Sequence, residues 1–264
     1  MSGYIYFLGT GCGKPKQSRQ LPAYLISTPD NHSVMLECGT HVNEDDPLFP
    51  LSLSQLDCII ITALNIELLA GLPATLHAMR LMNRNKELKL IAPAPIEAIV
   101  MNLLSLDGID VPFHIDFQKI SSTDRIVIGN TTEVCVRESA SMPGRYQVYI
   151  QLVVNGHDAT VYYTGKSKSE YIPDTLVGHK IVIHDCTYAY DDYHLTAKTG
   201  LSSYRDVLDY AGQVDVAAIF LTHFSSRYSD PPANVALHRP VPANIVFAYD
   251  GLRYPLGPLM TAIS

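Results

Sequence analysis

Side chains able to move protons or hold anions gather at three places in this chain. Lys14, Lys16 and Arg19 fall within Lys14-Pro15-Lys16-Gln17-Ser18-Arg19-Gln20, directly after the glycine cluster Gly9-Thr10-Gly11-Cys12-Gly13. An arginine there suits phosphate oxygens, because a planar guanidinium donates hydrogen bonds in pairs. Asp185, Asp191 and Asp192 with His184 and His194 form a loose acidic–histidine cluster, but no pair has the HxH spacing of a metal-binding loop. His223 is followed by Ser225, Ser226 and Arg227, which add hydroxyl and guanidinium donors. Tyr188, Tyr190 and Tyr193 stand beside Asp185 in a chain with sixteen tyrosines and no tryptophan. Such rings stack on bases, or simply pack a domain or dimer surface.

Strands must carry most of these groups. Tyr4 to Leu8 is a strand that ends in the glycine cluster; Tyr24 to Ser27 and Ser33 to Glu37 are two more, parted by the turn Pro29-Asp30-Asn31. Leu56 to Thr62 is a continuous buried strand, and Glu67 to Met82 has apolar residues at helical spacing. Leu88 to Ile91 reads as a strand and Pro93 to Leu106 as a helix with proline in its first turn. Strands follow at Ile126 to Ile128, Glu133 to Arg137, Gln147 to Val154, Ala159 to Tyr163 and Lys180 to His184. The helix Leu201 to Ala211 precedes the strands Val216 to Thr222 and Ile245 to Ala248, and Ala248 to Gly251 is a turn. Strands dominate both halves and helices follow them, which predicts an α/β fold of two packed sheets with helices outside, an αββα sandwich. With no repeat, linker or low-complexity tract, residues 1–264 are expected to form one domain.

Composition narrows the function classes. Apolar residues are 47% and charged residues 17% of the chain, an ordinary globular balance, and no apolar run is long enough to span a membrane. A cytoplasmic, unanchored protein is the expectation. The net charge of −7 argues against broad, sequence-blind nucleic-acid binding. Five scattered cysteines without CxxC spacing suggest buried free thiols rather than disulfides or structural zinc.

FLGTGCGKP, LECGT (36–40), ITALNIELLAGLP (61–73), YYTGK (162–166), HDCTY (184–188), HLTA (194–197) and LTHFSSRY (221–228) occur in the order expected of ribonuclease Z. The chain thus resembles the branch of the metallo-β-lactamase superfamily that trims the 3′ trailer of precursor tRNA. The resemblance implies a metallo-β-lactamase-like sandwich and a centre of two zinc ions, which activate water and clamp the oxygens of a phosphodiester. It implies that most ligands come from a Thr-His-X-His-X-Asp-His loop. Here that loop is Thr62-Ala63-Leu64-Asn65-Ile66-Glu67-Leu68. By the same resemblance a further ligand histidine falls on Ala140 and the bridging aspartate on Lys166, so that only His223 keeps its type. The expected consequence is no metal cofactor: the ancestral two-zinc site is lost. Lys166 is then expected to pair with Glu67 or Asp185, to face a bound phosphate, or to stay in solvent.

The resemblance also places Asp185 and His194 where the family pairs an acid with a histidine to protonate the leaving group. Pro15, Arg19 and Gln20 fall in the family's substrate loop beside the active site. The flexible tRNA-gripping arm is absent, since Gly144 to Gly165 leaves room for little more than a hairpin. The leading expectation is a catalytically inactive protein that binds a nucleotide, an RNA 3′ end or a protein partner through Pro15, Arg19, Gln20, Lys166, His223, Ser225 and Arg227. Its rivals are a hydrolase working through Asp185 and His194 or an atypical metal site, and a non-catalytic subunit of an active homologue. A homodimer is expected by resemblance.

Overall fold

Each sheet of this protein is apolar on both faces, because one face meets the other sheet and the opposite face meets helices. The structure, a computed structural model, describes residues 3–41, 52–105, 111–121, 125–168, 176–229, 231–237 and 239–257. The first half of the chain supplies β1 (Tyr4–Gly9), β2 (Gly11–Cys12), β3 (Ala23–Ser27), β4 (Ser33–Leu36), β5 (Cys58–Ile60), β6 (Leu88–Ala92) and β7 (Ile115–Lys119). The second supplies β8 (Arg125–Ile128), β9 (Thr132–Glu138), β10 (Tyr146–Val154), β11 (His157–Tyr163), β12 (His179–Asp185) and β13 (Ala218–Thr222). The short strands β14 (Phe224–Ser225), β15 (Ile245–Phe247) and β16 (Arg253–Pro255) close the series. One sheet runs β16-β1-β3-β4-β5-β6-β7 and the other β15-β13-β12-β11-β10-β9-β8.

Between the sheets lie Ile5, Phe7, Tyr24, Ile60, Val148, Val161, Ile183 and Phe220, with the Phe7 and Phe220 rings 5.0 Å apart. On the outer face of the first sheet, α1 (Ile66–Leu69), α2 (Leu72–Leu81) and α3 (Ile96–Ser105) accompany a second apolar layer that includes Leu68, Leu76 and Val100. On the outer face of the second, α4 (Thr196–Thr199), α5 (Tyr204–Ala211) and α6 (Pro231–Ala236) follow the strands, and Tyr204 and Val207 join a third layer. This is the αββα sandwich. It explains why β3, β4, β5 and β13 read as nearly continuous apolar runs instead of alternating ones.

Several boundaries depart from expectation. The helix expected over Glu67 to Met82 is two helices, because Pro73 in the first turn of α2 has no N–H to continue α1. Gly71 sits at that break, where a Cβ would lie 2.2 Å from the Thr40 carbonyl carbon. The helix expected from Leu201 begins at Tyr204, after a capping box in which Ser203 and Asp206 satisfy each other's backbone N–H. The helix expected from Pro93 begins at Ile96, and Leu106 lies outside the described residues. Strands β7 and β16 fall on segments not expected to be extended. Gly144 to Gly165 is filled by β10 and β11, joined by the two-residue turn Asn155-Gly156, both with positive φ.

Candidate functional site

Parallel strands end together in this architecture, and the loops leaving their carboxyl ends meet at one edge of the sandwich. In the first sheet β4 and β5 are parallel and lead to Glu37 and to Thr62–Glu67. In the second, β11, β12 and β13 are parallel and deliver Lys166, Asp185 and His223. The small parallel pairing of β2 with β14 joins Cys12 to the segment after His223. Lys166 is turned inward by Gly165, whose positive φ and 2.2 Å approach of a hypothetical Cβ to the Tyr146 carbonyl oxygen leave no room for a side chain.

A chain of alternating charges fills the floor. Lys166 Nζ pairs with Glu67 Oε1, and both side chains are about nine-tenths buried. His223 Nε2 lies 3.3 Å from the same Glu67 oxygen, and its Nδ1 lies 3.0 Å from Asp185 Oδ1. Thr187 donates its hydroxyl to Asp185 Oδ1 at 2.6 Å and touches His223 Nδ1 at 2.8 Å. The Ser202 backbone N–H donates to Asp185 Oδ2 at 2.7 Å, and that of Gly13 to Glu67 Oε2 at 2.5 Å. Burial disfavours a charged His223, but Cys12 and Asp185 outweigh it and raise the imidazole to about 9. The ring therefore carries a proton at neutral pH and donates from both nitrogens, with a backbone φ of 59° that aims it inward. Burial pushes the Lys166 ammonium below its ordinary range, an effect partly offset by Cys12, Asp185 and Glu37.

The positions expected to hold metal ligands on the first-sheet side do other work. Ala63 and Leu68 are buried among apolar side chains, and Asn65 caps α1 by accepting the Glu67 backbone N–H at 3.2 Å. Ala140 is exposed in the turn after β9. Two divalent cations do not fit such a set, because alanine and leucine offer no donor atom and Lys166 brings a competing positive charge. Among the described residues, one group of metal-ligating side chains converges: Cys12, Glu67 and His223, with donor atoms within 4.8 Å of one another.

The remaining expected site residues fall into two groups. Asp185 is fully engaged with Thr187, His223 and Ser202, while His194 is exposed on the 3₁₀ turn Tyr190–Leu195 and packs edge-on against Tyr193. The structure does not bring these two into a pair. Arg19 points inward as well: its guanidinium covers the Phe224 ring at 4.7 Å and donates to Thr10 Oγ1 and the Ala248 carbonyl oxygen. Gln20 donates its backbone N–H to Asp250 Oδ2, so the expected substrate loop is tied to the Ala248–Gly251 turn. Pro15 is exposed just before a tight turn closed by Lys16 and Arg19. Ser225 donates its backbone N–H to the Thr187 carbonyl oxygen and accepts the Arg227 N–H at 3.4 Å.

At the rim, three exposed guanidiniums lie over three tyrosines of one segment. Arg227 is 5.5 Å from the Tyr188 ring centre, Arg239 4.6 Å from Tyr190 and Arg205 4.6 Å from Tyr193. Asp192 accepts the Tyr228 hydroxyl and faces Arg227 at 3.9 Å.

Glu37, Thr187 and Cys12 were not singled out from sequence. Glu37 is fully buried, accepts from the Thr62 hydroxyl and backbone N–H, and is raised by burial to about 7. Its presence in LECGT after a strand was the available signal, and Cys12 was hidden among five thiols of equal standing.

No family model matches the chain. It is 23% identical to the ribonuclease Z of Saccharolobus solfataricus over 274 residues, covering 89% of this chain and 93% of that one. Its fold matches the human short-form tRNase Z with a TM-score of 0.76 at 17% identity, covering 96% of this chain and 99% of the other. It matches the metallo-β-lactamase fold protein YhfI of Bacillus subtilis with a TM-score of 0.71 at 15% identity, covering 97% and 100%. In sequence the chain resembles ribonuclease Z along most of its length, and its fold is that of the metallo-β-lactamases.

Proposed function

We propose that this protein is a catalytically inactive relative of ribonuclease Z that works without a metal cofactor and binds a nucleotide or an RNA end. The observation that carries this reading is the Lys166–Glu67–His223–Asp185 chain, in which protein charges satisfy one another where the resemblance calls for metal ligands. A carboxylate paired with both an ammonium and an imidazolium has little affinity left for a dication. The Asp185 and His194 pairing needed for a metal-independent diesterase receives no support from the geometry, since Asp185 has other partners.

A nucleotide or RNA end suits the rim. Guanidiniums lying over Tyr188, Tyr190 and Tyr193 keep N–H edges for phosphate and an outer face for a base. In this reading Arg227 contributes directly, whereas Arg19 and Lys166 shape the pocket from within. A protein partner, including a second copy or an active homologue, finds favour in a different observation: Ile66, Leu81 and Met101 on the outer helices are more than half exposed. Among the described residues no helix is long and apolar enough to cross a membrane.

The test is an assay on an activated phosphodiester and on a precursor tRNA, with zinc or manganese added. The expected result is no chelator-sensitive turnover, together with binding of a labelled RNA 3′ end measured by fluorescence anisotropy. Robust turnover abolished by chelator would overturn the reading.

A further inference from the structure

We propose that Cys12, Glu67 and His223 form a latent site for one thiophilic divalent cation of the zinc class, and that the Lys166 ammonium is its built-in competitor. The three donors come from distant parts of the chain: β2, the first turn of α1 and the loop after β13. They offer sulfur, oxygen and nitrogen, all three are buried, and their donor atoms lie within 4.8 Å of one another. Ligands around a tetrahedral zinc at bond lengths of about 2.0–2.3 Å stand roughly 3.5 Å apart, so closure by about an ångström would bring the three donors to ligand distance, with the fourth position left to an exogenous ligand such as water.

A second observation points the same way. His223 is braced from behind, with Nδ1 on Asp185 and Thr187, which leaves Nε2 facing Glu67. A carboxylate behind an imidazole is the arrangement that orients histidines toward metals. A third is that a cation already occupies the place, since Lys166 Nζ rests on the Glu67 carboxylate. The site differs from a two-metal diesterase centre in count and in chemistry. It takes one ion, draws a sulfur ligand from the glycine-rich strand end, and uses none of Ala63, Asn65 or Leu68. The thiolate selects zinc or cobalt over magnesium, calcium or manganese. Binding displaces the ammonium from Glu67 and takes Cys12 as its thiolate and His223 through an unprotonated Nε2, with any proton they carried passing to solvent and no redox step.

The role given to Lys166 rests on the proposed metal-free working state, whereas the donor set does not. The experiment is titration of the full chain and of Lys166→Met with cobalt(II), followed by absorbance. Glu67 keeps the Gly13 N–H and His223 as partners in that variant, and Lys166→Gln is a second route if it folds poorly. Lys166→Met is expected to bind one cobalt with tetrahedral ligand-field bands and a thiolate-to-cobalt charge-transfer band. Its affinity should exceed that of the unaltered chain by at least about tenfold, equivalent to about 1.4 kcal/mol. Adding Cys12→Ser should remove the charge-transfer band. Two folded lysine variants without that band would overturn the inference, as would a band that survives Cys12→Ser. Chelator-sensitive diester turnover by the unaltered chain would overturn the proposed function, while the donor set stands or falls with the band in the lysine variants.

Discussion

The two walls of the candidate site have been built from opposite materials. On the first-sheet side, Ala63 and Leu68 belong to the hydrophobic packing and Asn65 is spent on a helix cap. On the second-sheet side, the side chains of Asp185, Thr187 and His223 and the Ser202 backbone N–H form one polar network. Glu67 is the exception that joins them, since it begins on the first wall and its carboxylate bonds across the gap and to Gly13. In the proposed metal-free reading, the Lys166 ammonium supplies the positive charge that balances Glu67 across the gap.

The sharpest way to break this comparison is to remove the joining carboxylate. Glu67→Leu leaves the Lys166 ammonium without its paired carboxylate and close to the imidazolium that Asp185 holds, and should cost about 3–5 kcal/mol in urea unfolding. Adding Lys166→Met should recover most of that loss. A single variant as stable as the parent would show that the two walls do not depend on Glu67.

A smaller effect tests the buried acid behind the first wall. Burial raises Glu37 from its ordinary 4.5 to about 7, so the folded chain retains a proton that the unfolded chain releases in that interval. Its stabilising contribution is complete below about pH 4.5 and is lost as pH rises through about 7. Glu37→Gln should therefore gain roughly 1–3 kcal/mol over the parent near pH 8, with the difference vanishing below about pH 4.5. Melting curves across that range check both the sign and the window. The smallest effect belongs to His194. Being exposed, its replacement by alanine should change stability by no more than about 0.5 kcal/mol and leave the His223 titration near 9 unmoved by NMR. A shift in that titration would restore a link between His194 and the polar wall.

Legibility in sequence followed burial. Strands such as β5 and β13 announce themselves because both their faces are covered, and the β10–β11 hairpin is signalled by Asn155-Gly156. The edge strand β7 was missed because Ile115, Asp116, Phe117 and Gln118 are only half-buried and mix apolar with polar types. The replaced ligand positions could be read directly, since Ala63 and Leu68 have no donor atoms wherever they point. The direction of a long side chain could not. Arg19 belongs to a basic run that resembles a substrate loop, yet Phe224 and the Ala248 carbonyl, more than two hundred residues away, turn it inward. The resemblance likewise pairs Asp185 with His194, whereas the geometry joins Asp185 to Thr187 and to a histidine that follows the next strand.

The alternation of sign along Lys166, Glu67, His223 and Asp185 has a consequence for how far the site can be felt. Two positive and two negative groups cancel, so the potential they cast falls away much faster with distance than that of a dication. Beyond a Debye length of about 8 Å at physiological salt, an approaching anion senses almost nothing of the floor. Long-range attraction is left to exposed cations, among them Lys14 and the arginines at 205, 227 and 239, and it must overcome a chain whose net charge is −7. Capture from solution is therefore governed at the rim and weakens with salt, while the floor acts only on a ligand that has already arrived.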